Sequence, residues 1–111
     1  PDAPLERFCH ALPKVDLHVH LLGAVRRETF AEFAARAGMT SADVDALYGT
    51  DTRPPGAIAV LRVLEQRLLR DANDLHRITY EHLQDQAAHG VRHSEVFWNP
   101  TGTAHLFPYA K

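Results

Sequence analysis

The run from residue 14 to residue 20 constrains the fold more than any other part of this 111-residue chain. Its letters, KVDLHVH, alternate polar and apolar residues, and side chains on a β-strand alternate between two faces. We therefore predict a strand here, with His18 and His20 on one face and Asp16 behind them. A second, apolar face is expected to be buried, and it consists of Val15, Leu17 and Val19.

The histidine pair allows two interpretations. On spacing alone, such a pair is more often packed or solvent-facing than metal-binding. However, Pro13 and Gly23 bracket the strand, and its other face is β-branched and aliphatic, as in a buried parallel strand. Chemistry in β/α enzymes lies at the carboxyl ends of strands, and neutral imidazole suits Zn²⁺. His18 and His20 are therefore candidate metal ligands.

The rest of the chain predicts helices and a second strand. Apolar periodicity and capping residues give helices over 26–37, ended by Gly38; 42–47, capped by Ser41; 57–69; and 74–88, capped by Asn73. The side of the long helix that faces the core is expected to consist of Leu75, Ile78, Leu83 and Ala87. Residues 48–56 contain Pro-Pro-Gly and predict a loop. Gly90 precedes a second strand over about 91–98, so the order predicts a parallel βαβ unit of the α/β class.

Composition narrows the class of protein. A net charge of −2 excludes a strongly basic nucleic-acid binder, and no apolar run is long enough for a membrane span, so we expect a cytoplasmic protein. The single cysteine, Cys9, excludes an internal disulfide and is expected to be a packing or surface thiol. Five further histidines lack ligand spacing and are expected at the surface: His10, His76, His82, His89 and His105.

Two residues of the second strand share a face, His93 and Glu95. His93 is the best third ligand by residue type, but its place near the strand's start puts it away from the carboxyl ends. We expect structural roles for both. Two strands cannot form a stable sheet alone, and neither Pro1 nor Lys111 looks like a natural end. We therefore expect residues 1–111 to be one partial domain of a longer protein.

Three segments resemble the adenosine deaminase family. Residues 12–24, LPKVDLHVHLLGA, resemble its opening motif, while residues 74–81 and 87–100 resemble its long helix and second strand. The resemblance covers about residues 12–101, with the segments in the right order. It implies the N-terminal third of a metal-dependent (β/α)₈ TIM barrel of the amidohydrolase superfamily, a fold of about 250 residues.

The resemblance also implies a reaction and roles for single residues. The reaction would be hydrolytic removal of the 6-amino group of a purine base or nucleoside, with one Zn²⁺ activating the water and ammonia released. His18 and His20 match the first two zinc ligands, and His20 also lies beside the substrate. Gly23 matches a turn glycine that lets the backbone approach the ligand. The family's catalytic residues come from later strands, beyond Lys111, so these residues alone should be inactive.

Leu22 departs from the family pattern, which has an aspartate that contacts the sugar of a nucleoside. A ribose hydroxyl left unpaired against leucine would cost about 1–3 kcal/mol. We expect Leu22 in the substrate site of an enzyme that acts on a free base or modified purine, or that holds the ribose by another contact. A neutral substitution with a repacked loop is an equal alternative.

Two other functions remain open. Asp-x-His-x-His on a first strand also resembles the phosphoesterases related to histidinol phosphatase, although the Leu-Gly-Ala continuation and the second strand argue against them. A non-catalytic fragment or pseudoenzyme is the other alternative. The zinc deaminases that act on cytidine need a Cys-x-x-Cys run, which a chain with one cysteine excludes.

Overall fold

The computed structural model describes residues 3–49 and 56–106. Their helices and strands are α1 Pro4–Ala11, β1 Lys14–His20, α2 Arg27–Arg36, α3 Ser41–Tyr48, α4 Ala57–Val63, α5 Ala72–Ala88 and β2 Val91–Phe97. A 3₁₀ turn, Leu21–Gly23, follows β1, a π-helical turn, Leu64–Leu68, follows α4, and a second 3₁₀ turn, Pro100–Thr103, follows β2. The two predicted strands and four predicted helices are confirmed to within two residues, except that 57–69 ends as a π turn. Most of the predicted 48–56 loop lies outside the described residues.

The two strands pair in parallel, as predicted. Lys14 lies opposite Val91 at one end of the pair, and His20 lies opposite Phe97 at the other. Because the strands run in the same direction, their carboxyl ends meet at one edge, where His20 lies. Helix α5 leads directly into β2, so the chain from β1 to β2 is a βαβ unit.

The hydrophobic core lies among the helices and not beneath the sheet. Its buried members come from α2, α3, α5 and the π turn with the residue after it: Phe30, Phe33, Ala34, Val44, Leu64, Leu68, Leu69 and Ile78. The face of β1 that was expected to be buried is therefore only partly so. Val19 is 8% exposed, but Val15 and Leu17 are 62% and 57% exposed, because α5 packs on β2 and the turn after β1.

The inward side of α5 is rotated from the predicted one. Its buried residues are Asp74, Ile78 and His82, whereas Leu83 is 55% exposed. The Arg36 guanidinium donates to both carboxylate oxygens of Asp74, at 2.8 and 2.6 Å, and this pair turns that side of α5 toward α2. The prediction of a surface position was therefore wrong for His82, while the other four histidines are exposed.

Two helices begin at caps other than the predicted ones. Asp71 caps α5 in place of Asn73, since its carboxylate accepts from the backbone N–H of Asn73 at 2.8 Å. Thr40 caps α3 in place of Ser41 and forms a capping box with Asp43, in which each side chain accepts from the other's backbone N–H. Each helix start offers two capping residues, adjacent in the sequence at α3 and two positions apart at α5, and the residue with extended backbone is the cap.

Helix α1 was not expected from the sequence. Pro4 lies in its first turn, and none of its residues is buried, so its large apolar side chains, Leu5 and Phe8, are exposed. Cys9 on this helix is exposed, which makes it a surface thiol. None of the helices in the described ranges combines the length and apolar composition needed to cross a membrane.

Candidate metal centre

The carboxyl end of β1 brings two imidazoles together. The Nε2 atoms of His18 and His20 are 3.2 Å apart, and the ring centroids are 5.1 Å apart. Both side chains are exposed, and they lie on the same face of the strand, as the alternation predicted. The two nitrogens therefore converge on one small volume at the edge where the parallel strands end.

This separation fits two ligands of one zinc ion. Zn–N bonds of about 2.0–2.1 Å in a tetrahedral arrangement place two ligand nitrogens about 3.3 Å apart. Within residues 3–49 and 56–106, no group of three or more His, Cys, Asp or Glu side chains could hold a metal ion. The residues present thus fit half of a zinc site, and the other ligands would come from elsewhere in the protein.

Phe97 supports both imidazoles from the neighbouring strand. Its ring centroid lies 4.5 Å from that of His18 and 5.9 Å from that of His20. Sequence reasoning did not find this residue, because the contact depends on the register that places Phe97 opposite His20. Parallel pairing was predicted from the sequence, but the register that brings Phe97 beside His20 was not.

The second strand's polar pair lies away from this end. His93 pairs with Val15 near the beginning of the sheet, and its Nε2 is 3.4 Å from Oε1 of Glu95. Both side chains are more than half exposed. The structure thus joins His93 and Glu95 to each other and places His93 away from the carboxyl edge, as expected from the sequence.

The turn after β1 forms one wall of a cavity beside the histidines. The cavity has a volume of about 150 Å³ and is lined by His20, Leu22, Leu61, Glu65, Phe97, Trp98 and Asn99. A second, more apolar cavity has a volume of about 210 Å³ and shares Leu22 and Leu61 with the first. Its other lining residues are Gly23, Val25, Tyr48, Ala57 and Val60. Leu22 and Leu61 thus line both cavities near the end of β1.

Gly23 faces open space rather than a crowded neighbour. A Cβ built on it would lie 3.7 Å from His20 Cβ and 3.8 Å from Leu61 Cδ2, which are ordinary contacts. The described neighbours therefore do not themselves require glycine at this position. A requirement for glycine would have to come from a bound ligand or from another part of the protein.

An ion pair anchors the chain that follows this turn. The Arg26 guanidinium donates to both carboxylate oxygens of Asp85 on α5, at 3.0 and 2.6 Å. These hydrogen bonds from Arg26 hold the pKa of Asp85 below its ordinary value. The link fixes the start of α2 against the crossover helix, and so holds the segment that leaves the candidate site.

A convergent histidine pair at the carboxyl edge of a parallel βαβ unit is typical of metal-dependent hydrolases built on (β/α)₈ barrels. The model of one family, adenosine deaminase, matches residues 13–106. The chain belongs to the adenosine deaminase family.

Solved and curated relatives agree with this assignment. A crystal structure of an amidohydrolase from Burkholderia ambifaria with bound Zn is 51% identical in sequence and superposes with a TM-score of 0.86. The match covers 99% of this chain and 32% of the amidohydrolase chain. The adenine deaminase of Rhodospirillum rubrum is 33% identical over 86% of this chain and 29% of its own length. The aminodeoxyfutalosine deaminase of Streptomyces coelicolor is 36% identical over 90% of this chain and 27% of its own length. The chain thus spans about a third or less of each of these relatives, and the predicted fold class, part of an α/β barrel, is confirmed.

Proposed function

We propose that the protein containing this chain is a zinc-dependent deaminase that removes the amino group from C6 of an aminopurine and releases ammonia. The observation that carries the proposal is the 3.2 Å separation of the His18 and His20 Nε2 atoms at the carboxyl end of β1. Membership of the adenosine deaminase family supports the reaction, and the zinc in the Burkholderia amidohydrolase supports the metal.

In this proposal His18 and His20 are two of the zinc ligands, and His20 also contacts the substrate. Zinc bound there would lower the pKa of a coordinated water toward neutrality and so supply the nucleophile. Phe97 packs against both rings and holds their orientation. Leu22 and Gly23 would line the substrate site, and the remaining ligands and proton-transfer groups would come from other parts of the protein.

Leu22 bears on which aminopurine is the substrate. It places an apolar side chain between the two cavities, where an acid could have accepted a hydrogen bond from a sugar hydroxyl. We propose a free base or a modified purine as the preferred substrate. Relatives named adenine deaminase and aminodeoxyfutalosine deaminase support this choice.

Ammonia release by the full-length protein tests the function. We expect turnover of at least one 6-aminopurine, with kcat/KM for adenine or a modified purine above that for adenosine. A clear preference for adenosine would contradict the substrate proposal. Phosphate release from phosphate esters, with no ammonia from any aminopurine, would contradict the reaction and favour the phosphoesterase alternative.

Variants of the histidines test the site. His18→Ala or His20→Ala should lower kcat at least about 100-fold, since loss of even an outer-shell partner costs 10- to 100-fold. The matched control is His93→Ala, because His93 is also an exposed β-strand histidine but lies near the other end of the sheet. Its kcat should stay within about twofold of the wild type. Equal losses in all three variants would contradict the assignment of the ligands.

A further inference from the structure

We propose that Glu65 determines specificity: its carboxylate accepts a hydrogen bond from an N–H or O–H donor of the bound purine other than the reacting amino group. The inference rests on the proposed function, because the reacting C6 must face the histidine pair. The donors left for a second contact are then a ring N–H of a free base or a hydroxyl of an attached sugar.

Glu65 enters the candidate site from a rigid part of the fold. It lies in the π-helical turn, between Leu64 and Leu68, whose side chains are 0% and 1% exposed in the core. π-Helical turns widen a helix locally and occur frequently at functional sites. The side chain of Glu65 lines the same cavity as His20 and Leu22.

The turn after β2 leaves room for this carboxylate. A Cβ built on Gly102 would lie 1.6 Å from Oε1 of Glu65 and 1.9 Å from its Cδ, so a larger residue at 102 would displace the acid. Asn99 fixes the same turn, since its side-chain oxygen accepts from the backbone N–H of Thr101 at 3.0 Å. The carboxylate of Glu65 therefore lies directly against the backbone of this turn.

Glu65 differs from the other half-buried or buried acids of the helices. Asp74, Glu81 and Asp85 each accept hydrogen bonds from an arginine. Among residues 3–49 and 56–106, no hydrogen bond or ion pair to Glu65 is found. Glu65 is half-buried against the backbone of Gly102, and a carboxylate accepts hydrogen bonds. A donor on a ligand in the cavity would supply the partner.

Besides the carboxylate of Glu65 and the imidazole of His20, the lining of this cavity offers one more side-chain acceptor, the amide oxygen of Asn99. The side-chain oxygen of Asn99 is used within its own turn, and Leu22 and Leu61 are apolar. A donor group of a ligand would therefore meet Glu65 as the free acceptor of this wall. Because the proposal concerns a hydrogen bond to a charged group, its loss should weaken binding about 10- to 100-fold.

Calorimetric binding to the full-length, zinc-loaded protein tests the proposal without turnover. The ligands are hypoxanthine, which has an imidazole-ring N–H where a nucleoside has its sugar; inosine, which has sugar hydroxyls there; and 9-methylhypoxanthine, which has neither group there. All three keep the N–H at N1, so they differ only at the imidazole ring. Glu65→Leu should raise the Kd of hypoxanthine or of inosine about 10- to 100-fold and leave that of 9-methylhypoxanthine within twofold. Weaker binding of hypoxanthine alone identifies the imidazole-ring N–H as the donor, and weaker binding of inosine alone identifies a sugar hydroxyl.

Two further variants separate a ligand contact from a structural role. Gln66→Leu, at an exposed neighbouring position in the same π turn, should change none of the three Kd values. Gly102→Ala should reproduce the ligand-selective loss by displacing the carboxylate, and should add nothing in a Glu65→Leu background. Equal losses for all three ligands, or no loss for any, would overturn the proposal. Absence of ammonia release with selective binding intact would instead overturn the proposed reaction alone.

Discussion

At the scale of single residues, the candidate centre depends on one aromatic ring as much as on the histidines. Strand alternation puts His18 and His20 on one face, but each imidazole could still rotate about its side-chain bonds. Phe97 contacts both rings from β2 and limits that rotation. Restricted ligands bind a metal more tightly because less conformational freedom is lost on binding.

Phe97→Ala should therefore weaken zinc binding by the full-length protein about 10- to 100-fold, the range for residues that orient metal ligands. Competition with a chelator of known affinity measures this. Val96→Ala is the control, since Val96 neighbours Phe97 on β2 and is similarly exposed but lies on the other face of the strand. Equal zinc affinities in the wild type and Phe97→Ala would contradict the orienting role.

The pair of Arg36 and Asp74 is the residue-scale contact that matters most for stability. Burial raises the pKa of Asp74, but hydrogen bonds from the Arg36 guanidinium and the Arg70 backbone N–H outweigh it and hold the pKa below its ordinary value. The pair's contribution is therefore complete above the unfolded-state pKa of about 4 and is lost as pH falls through the lower folded-state pKa.

Asp74→Asn should lower the free energy of unfolding by about 2 kcal/mol near neutral pH, because a buried charged hydrogen-bond acceptor is lost. The difference from the wild type should shrink below about pH 4. Urea unfolding of the full-length protein across pH measures it. Asp45→Asn, at the exposed pair with Arg27, should change stability by less than about 1 kcal/mol. A pH-independent difference for Asp74→Asn would rule out the ion pair as its cause.

At the scale of elements, three glycines of the described ranges follow helices with positive φ angles, Gly38, Gly49 and Gly90, and the first and last of them differ in their surroundings. Gly38, after α2, has φ +79° and would place a Cβ in open space. Gly90, between α5 and β2, has φ +72° and would place a Cβ 3.1 Å from the carbonyl oxygen of His10 and 3.2 Å from that of Leu12. The carbonyl of Gly90 also accepts from the backbone N–H of Lys14 at the start of the sheet, at 3.0 Å.

Gly38→Ala should cost about 1–2 kcal/mol of unfolding free energy, the conformational penalty alone. Gly90→Ala should cost more by at least about 1 kcal/mol, because two backbone carbonyls must also move. Chemical denaturation of the full-length variants gives both values. A Gly90→Ala variant no less stable than Gly38→Ala would show that the joint between α5 and β2 is not tightly packed.

The order of the elements could be predicted from the sequence, but their exact ends and contacts could not. Alternation predicted both ends of β1 correctly, since every second residue from Val15 to Val19 is apolar. Helix starts were misplaced because Thr40 and Ser41 are both good caps and only the folded backbone selects one. Helix α1 was not predicted, although Leu5, Phe8 and Cys9 follow helical spacing; it is short and none of its residues is buried.

The residues of the candidate site likewise fall into those that the sequence predicted and those that only the structure revealed. The spacing of His18 and His20 made them candidate ligands, and the resemblance added Leu22 and Gly23. Phe97 and Glu65 could not be found from the sequence, because they reach the site only through strand register and through packing of the π turn on Gly102. Such contacts between distant segments leave no local pattern.

At the scale of the whole molecule, large apolar side chains remain exposed on β1 and α5 in the part of the chain that the structure describes. Leu17 and Val15 on β1 and Tyr80 and Leu83 on α5 are each more than half exposed. Exposed apolar surface of this kind marks a contact with another partner or segment. Because the chain spans about 30% of its relatives, we infer that other segments of the same barrel cover these faces.

Leu17→Asp should accordingly destabilise the full-length protein by about 2–4 kcal/mol, since a charge would be buried in place of an apolar side chain. Gln84→Asp, at an exposed polar position on α5, should change stability by less than about 0.5 kcal/mol. Urea unfolding compares the two. A Leu17→Asp variant as stable as the control would mean that this face of β1 stays in solvent.

The central claim is that His18 and His20 hold a zinc ion at the carboxyl end of β1. The most direct test is anomalous scattering at the zinc absorption edge from crystals of the full-length protein grown with zinc. We predict one peak about 2.0–2.1 Å from the Nε2 atoms of both histidines. A peak bound by other residues, or no peak between these two imidazoles, would contradict the claim.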